Sequence, residues 1–138
     1  MRFEDLAVSM SAERARTVTA EDVLRYAEIT GDFNPVHVDA EAAAKSRFGG
    51  LIAHGMLTAG YVSAVLAMDL PGPGAIYVAQ TLRFTHPVKL GDTVTARVEV
   101  LELIAAKRRV RFATTCRNQH GEPVLEGEAT ILMPEESG

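Results

Sequence analysis

The sequence predicts an α+β fold with an antiparallel sheet, and three observations carry that prediction. Residues 19–70 read as helices joined by turns. The stretch Leu70-Pro71-Gly72-Pro73-Gly74 then stops helical structure, and beyond it the hydrophobic period becomes two. Four strand-like runs follow one another with turn signals between them, so a helix-heavy half precedes a sheet-forming half.

Each element has a local cause. Phe3 to Ala15 holds little pattern but allows a short strand, and Arg16-Thr17-Val18 reads as a strand end. Thr19 followed by Asp22 is an N-cap with an acid three residues on, which satisfies free amides at a helix start. Val23, Leu24, Ala27 and Ile29 form one apolar stripe, and Gly31 supplies the stop. Asn34-Pro35 is turn chemistry, because Pro35 fixes its own φ and pushes Asn34 out of helical space. The six residues from Asp32 to His37 are therefore expected to bend rather than stay helical. Asp39 caps a short helix over 40–44, Lys45 and Arg47 follow, and Phe48 is expected to tuck inward.

Gly49-Gly50 breaks the chain again. From Gly55 to Met68 nearly every residue is apolar or small, which predicts a helix enclosed on all sides. Gly60, Ser63, Ala64 and Ala67 would let a sheet approach it closely. Beyond the break, Ile76, Val78, Gln80, Leu82 and Phe84 alternate against Tyr77, Ala79, Thr81 and Arg83, predicting one strand over 76–84. Gln80 on that apolar face reads as structural, bonding backbone at a subunit contact, with a place lining the site as the alternative. His86-Pro87 ends the strand and Leu90-Gly91-Asp92 turns the chain. Val94 to Val100 and Val110 to Cys116 alternate likewise, Asn118-Gln119-His120-Gly121 is a hairpin signal, and Val124 to Met133 gives the last strand. Residues 134–138 read as a polar tail.

Composition bounds the function. A chain of 138 residues fits one domain, 1–138, able to bury roughly two-thirds of its unfolded surface. The net charge of −4 disfavours a nucleic-acid partner held by bulk electrostatics. Cys116 is the only cysteine, so it has no partner for an internal disulfide or a cysteine metal site, and a reducing cytoplasm is expected. The start MRFEDLAVSM lacks the apolar centre of a signal peptide, and the Met56–Met68 run is too short to span a bilayer. Lys107, Arg108, Arg109 and Arg111 form the densest basic cluster, readable as a phosphate contact or as a charged sheet edge. Lys45 and Arg47 are weaker phosphate candidates.

The stretch YAEITGDFNPVHVDAEAAAKSRFGGLIAHGMLTAG carries the chemistry. Asp32 and His37 flank the Asn-Pro bend, so a carboxylate and an imidazole can address one water as an acid/base pair. A turn acid beside a solvated loop histidine is the plainer reading of the same residues. If Gly55 opens the apolar helix, its N–H offers the positive helix end to a polarised carbonyl oxygen with no side chain in the way. Taken singly, Gly49, Gly50 and Gly55 are also ordinary turn and packing glycines, and Ser63 an ordinary packing residue.

GDFNPVHVD followed by FGGLIAHGMLTAG resembles the (R)-specific enoyl-CoA hydratases, the MaoC-like branch of the hot dog fold. The later stretch LPGPGAIYVAQTLRFTHPVKLGDTVTARVEV is similar to the way that family continues, so the resemblance covers nearly the whole chain. It implies a long helix wrapped by a curved antiparallel sheet, and reversible addition of water to a trans-2-enoyl thioester. It further implies that Asp32 and His37 activate the water, that the Gly55 N–H holds the thioester oxygen, and that Ser63 supports Asp32. Asn34 and Leu66 are candidate substrate-binding residues. An acyl-CoA substrate and a homodimer are expected, with no metal, no cofactor, no nucleic acid and no membrane. A 3-hydroxyacyl dehydratase acting on acyl carrier protein and a hot dog thioesterase are the alternatives.

Overall fold

Thr19 begins helix α1 (Ala20–Thr30) with the expected capping box: its side chain accepts from the Asp22 amide and the Asp22 carboxylate reaches back. Gly31 ends the helix in the left-handed conformation, with φ of 84°, and its amide donates to the Ala27 carbonyl at 2.8 Å. The computed structural model describes residues 1–135, so the last three residues of the polar tail lie outside the described residues. The apolar stripe of α1 is narrower than expected. Val23 and Ala27 are buried, whereas Leu24 is 46% and Ile29 85% exposed, because only one edge of α1 meets the core.

The Asn-Pro bend differs from the expectation in one respect. Pro35–Val38 is a one-turn helix, α2, with Asn34 as its N-cap and Pro35 in the first turn. Proline lacks the N–H that the first helical position does not need, so the residue that bends the chain also starts the turn. Asp39 then caps α3 (Ala40–Ala44) by accepting from the Glu41 and Ala42 amides, both at 3.1 Å. Phe48 is half-buried.

Six strands form one antiparallel sheet: β1 (Ser11–Thr17), β2 (Ile76–Gln80), β3 (Arg83–Phe84), β4 (Thr93–Ile104), β5 (Arg109–Arg117) and β6 (Pro123–Leu132). The order is β1-β4-β5-β6-β2, and β3 pairs with β6 beside β2. Residues 76–84 are thus two strands rather than one. The Thr81 amide donates to the Glu128 carbonyl at 2.9 Å, and a Cβ on Gly127 would stand 1.9 Å from the Thr81 carbonyl oxygen. The chain dips toward β6 at that point, which only glycine permits. The Gln80 amide donates to the Thr81 carbonyl at 2.8 Å and to Thr114 Oγ1 at 2.9 Å, and the Tyr77 hydroxyl donates to its oxygen. Gln80 holds the strand break together, in line with the structural reading.

The long helix α4 (Gly55–Met68) packs on β4, with further contacts to β1, β5 and β6. Val62, Val65 and Leu66 meet Val94, Ala96, Val98, Val110, Phe112, Leu125 and Ile131 in one core. Burying each Val, Leu or Phe side chain is worth about 1.5–3 kcal/mol, so this seam dominates stability. The helix is covered on one side only: Met56, Gly60, Ala64, Ala67 and Met68 are exposed in the single chain. β2 and β3 likewise expose Ile76, Val78 and Phe84. A helix laid on one face of a strongly bonded antiparallel sheet is the hot dog arrangement.

Candidate active site

Three bonded segments meet at the start of α4. The Ile52 amide donates to the Val36 carbonyl at 3.1 Å, and the Ala53 amide donates to the Val88 carbonyl at 2.8 Å. This fixes α2 and the 86–89 loop on either side of the segment leading into α4. His37, on α2, donates from Nδ1 to the Ile52 carbonyl at 2.7 Å. A carbonyl can only accept, so the neutral ring is the Nδ1–H tautomer and its Nε2 lone pair remains available. Asp32 follows the Gly31 stop, and its Oδ1 accepts from the Asn34 amide at 3.2 Å.

Asp32 and His37 are brought together as expected, and His54 joins them. One carboxylate oxygen of Asp32 and one ring nitrogen of each histidine all lie within 4.8 Å of one another. His54 is 3% exposed, stacks on His37 with ring centroids 3.9 Å apart, and packs against Tyr26 at 4.5 Å. Its Nε2 donates to the Asp32 carbonyl at 2.9 Å. Sequence reading passed over His54 as part of the HGM stretch. The missed signal was its place directly before a helix-opening glycine, where a side chain is pinned by the turn.

Gly55 opens α4 as expected, with His54 as the preceding cap residue. A Cβ here would lie 2.7 Å from Cδ1 and Cε1 of Phe84, so glycine lets the Phe84 ring lie against the helix start. His37 and Gly55 share a cleft of about 510 Å³ with Phe48, Phe84, His86 and Arg47 at its walls. A carbonyl oxygen entering this cleft can approach the helix start while its neighbouring carbons approach His37.

The remaining candidates are placed differently. Ser63 lies two turns along α4 and lines a second cavity of about 510 Å³ with Met56, Gly60, Tyr77, Val78 and Gln80. Met56 borders both cavities. Leu66 is 1% exposed and belongs to the core, because its helical position faces the sheet; it lines neither cavity. The Asn34 side-chain oxygen accepts from the Val36 amide at 3.4 Å as a helix cap. In the basic cluster, Arg108 donates to the Met133 carbonyl and pairs with Glu4 at 2.8 Å. Arg111 is shared by Glu102 and Glu128. The cluster lies on the central strand β5 and the turn before it, so the sheet-edge reading does not hold, and the arginine at the cleft is Arg47.

Asp32, His37 and His54 are also types that ligate metals, but the two rings are stacked, with planes 29° apart. Stacked rings keep their lone pairs in two nearly parallel planes, so an ion shared by both would lie well out of each ring plane, and the set does not fit a metal centre. No helix among the described residues is long and apolar enough to cross a membrane.

Known proteins agree with this geometry. The MaoC like domain family matches residues 5–121. A 3-hydroxybutyryl-CoA dehydratase of Methylorubrum extorquens is 50% identical over 132 residues, covering 96% of this chain and 83% of that protein. An (R)-specific enoyl-CoA hydratase of Rhodospirillum rubrum is 49% identical over 132 residues, covering 96% of this chain and 91% of that protein. The solved structure of R-hydratase PhaJ1 from Pseudomonas aeruginosa superposes with a TM-score of 0.93 at 49% identity, covering 98% of this chain and 86% of that one. A family match over most of the chain, relatives at half identity and a shared fold place the chain in the MaoC-like family.

Proposed function

We propose that the chain is an (R)-specific enoyl-CoA hydratase, a hydro-lyase that adds water reversibly to trans-2-enoyl-CoA to give (R)-3-hydroxyacyl-CoA. The observation that carries the reading is the Asp32 carboxylate and the His37 ring set within 4.8 Å beside a cleft that ends at the start of α4.

The proposed mechanism follows from those positions. The thioester oxygen accepts from the Gly55 N–H, which draws electron density from the conjugated double bond and makes C3 electrophilic. A water donates one O–H to Asp32 and the other to His37 Nε2, which leaves an oxygen lone pair for C3. As the C3–O bond forms, Asp32 takes the proton, and the resulting enolate is held at the helix start. Asp32 then gives that proton to C2 from the same side and is regenerated as the carboxylate, so the net change is OH on C3 and H on C2. Each well-placed acid or base contributes about 10²–10⁴-fold.

The acyl chain is assigned to the second cavity, reached past Met56 and bounded by Ser63 and β2. Arg47 at the first cleft is the candidate for the carrier phosphates. The reading treats 1–138 as one catalytic domain working in the cytoplasm as a homodimer, with the exposed β2 edge and the open side of α4 facing the second copy.

The test mixes purified protein with crotonyl-CoA and follows enoyl-thioester absorbance and product chirality. Loss of absorbance with the thioester intact and (R)-product is expected. Asp32→Asn should lower turnover by about 10²–10⁴-fold with the circular dichroism spectrum unchanged; full activity in that variant removes Asp32 from the mechanism. Release of free CoA instead identifies a thioesterase. Turnover of 3-hydroxyacyl groups only on acyl carrier protein identifies the corresponding dehydratase.

A further inference from the structure

His54 has no part in the proton transfers above, yet it is the most enclosed member of the cluster. Its Nε2 donates to the Asp32 carbonyl, so in the neutral ring the lone pair lies on Nδ1. That Nδ1 is buried and has no hydrogen-bond partner among the described residues. A proton there would be a buried donor with nothing to donate to. The tautomer is thus set by a single partner, the backbone of the residue that carries the acid.

The two tethers are reciprocal. The Ile52 carbonyl receives the His37 side chain, and the His54 side chain reaches the Asp32 carbonyl, across sequence separations of 15 and 22 residues. One short segment before α4 therefore grips both acid/base groups, one by its ring and one by its backbone. Asp32 otherwise has only local bonds: its amide donates to Thr30 Oγ1 at 3.3 Å, and its carboxylate accepts from Asn34. The His54 ring also stacks on His37, which limits rotation of that imidazole.

We infer that His54 is a positioning residue for hydration. It clamps the Asp32 backbone and backs the His37 ring, so that both acceptors address one water, and it touches neither substrate nor the reacting atoms. This rests on the hydratase reading for its kinetic consequence, but not for the tether itself.

The test uses two amides that copy different nitrogens of the ring. In His54→Gln the amide nitrogen can occupy the place of Nε2 and donate to Asp32. In His54→Asn it matches Nδ1 and falls short. A misplacement of about 1 Å can cost about 10²-fold in rate. The Asn variant is therefore expected to lose about that much in kcat with KM within about 2-fold of the parent. The Gln variant should stay within about 10-fold of the parent. Amide hydrogen exchange at 32–34 should accelerate in the Asn variant and not in the Gln variant. Equal losses in both variants, or losses that only track Tm, overturn the proposal. If the parent protein hydrates no enoyl thioester, the hydratase reading fails and the exchange comparison still decides the tether. If His54→Asn does not fold, nitrogen-15 spectra of the parent decide it: an Nε2–H ring at His54 supports the tether, and an Nδ1–H ring overturns it.

Discussion

Gly55 does two things that a larger residue there cannot do together. It leaves the helix-start amide open to the cleft, and it admits the Phe84 ring at a distance no Cβ tolerates. Phe84 is 49% exposed, so in Gly55→Ala the ring can swing outward rather than break the fold. The variant should keep a Tm within a few degrees of the parent, and because it retains the N–H and only crowds it, kcat/KM should fall by up to about 10²-fold, the full scale of one oxyanion donor. An unchanged kcat/KM would show that a methyl group does not obstruct the approach to the Gly55 N–H. Cys116 shows the opposite situation. Its thiol contacts the Thr58 carbonyl at 3.6 Å inside the core, and burial pushes its pKa up to about 12. The thiolate is the reactive form, so native protein at pH 8 should resist iodoacetamide for hours, with labelling rising only along the unfolding curve. Fast native labelling would mean that the core opens locally at β5.

At the level of elements, legibility in the sequence follows burial. Strands β4 and β5 alternate because one face is buried and the other is not; β5 was readable to within a residue at each end, while β4 runs on to Ile104, four residues past the expected Val100, beyond a register irregularity between Val100 and Glu102. β1 pairs with β4 over Ser11–Thr17 but has no fully buried residue, so no alternation marks it. The break between β2 and β3 was hidden for another reason: its cause is Gly127, more than forty residues away in sequence. Gly127→Ala would force the Thr81 carbonyl out of its approach to β6. A loss of about 3 kcal/mol is expected, the upper end for overpacking, because backbone rather than a side-chain tip must move. Urea unfolding measures this, and an unchanged midpoint would show that the strand pair tolerates a methyl group there. In the site, the Asn-Pro bend made it legible that Asp32 and His37 could meet, and the family resemblance alone implied their role. His54 was not legible, because its role depends on a backbone carbonyl that only folding brings near. Leu66 went the other way: its spacing from Ser63 pointed to a lining position, and the helix phase turns it into the core.

Across the whole molecule, one group of exposed apolar side chains lies on the side formed by α4, β2 and β3, and Val8, Leu24, Ile29 and Phe33 are exposed elsewhere. Ile76 and Val78 on β2, Phe84 on β3, and Met56 and Met68 on α4 are all 40% exposed or more. β2 ends the sheet path, so its outer edge has backbone groups for another strand. The proposed homodimer would cover this side. Val78→Lys is therefore expected to shift sedimentation from dimer to monomer at micromolar concentration, and a parent protein that sediments as a monomer would discard the dimer. The cavity that holds Ser63 lies on this same side, between α4 and β2.

The proton-handling groups occupy residues 32–55, whereas the second cavity draws much of its wall from 77–82. Under the proposed reaction, reactivity and shape selection would thus be written in largely separable stretches of chain. Recombining the 77–82 stretch among relatives would diversify the acyl groups accepted while leaving the water-activating apparatus untouched, so new substrate ranges can arise by exchange of a short cassette.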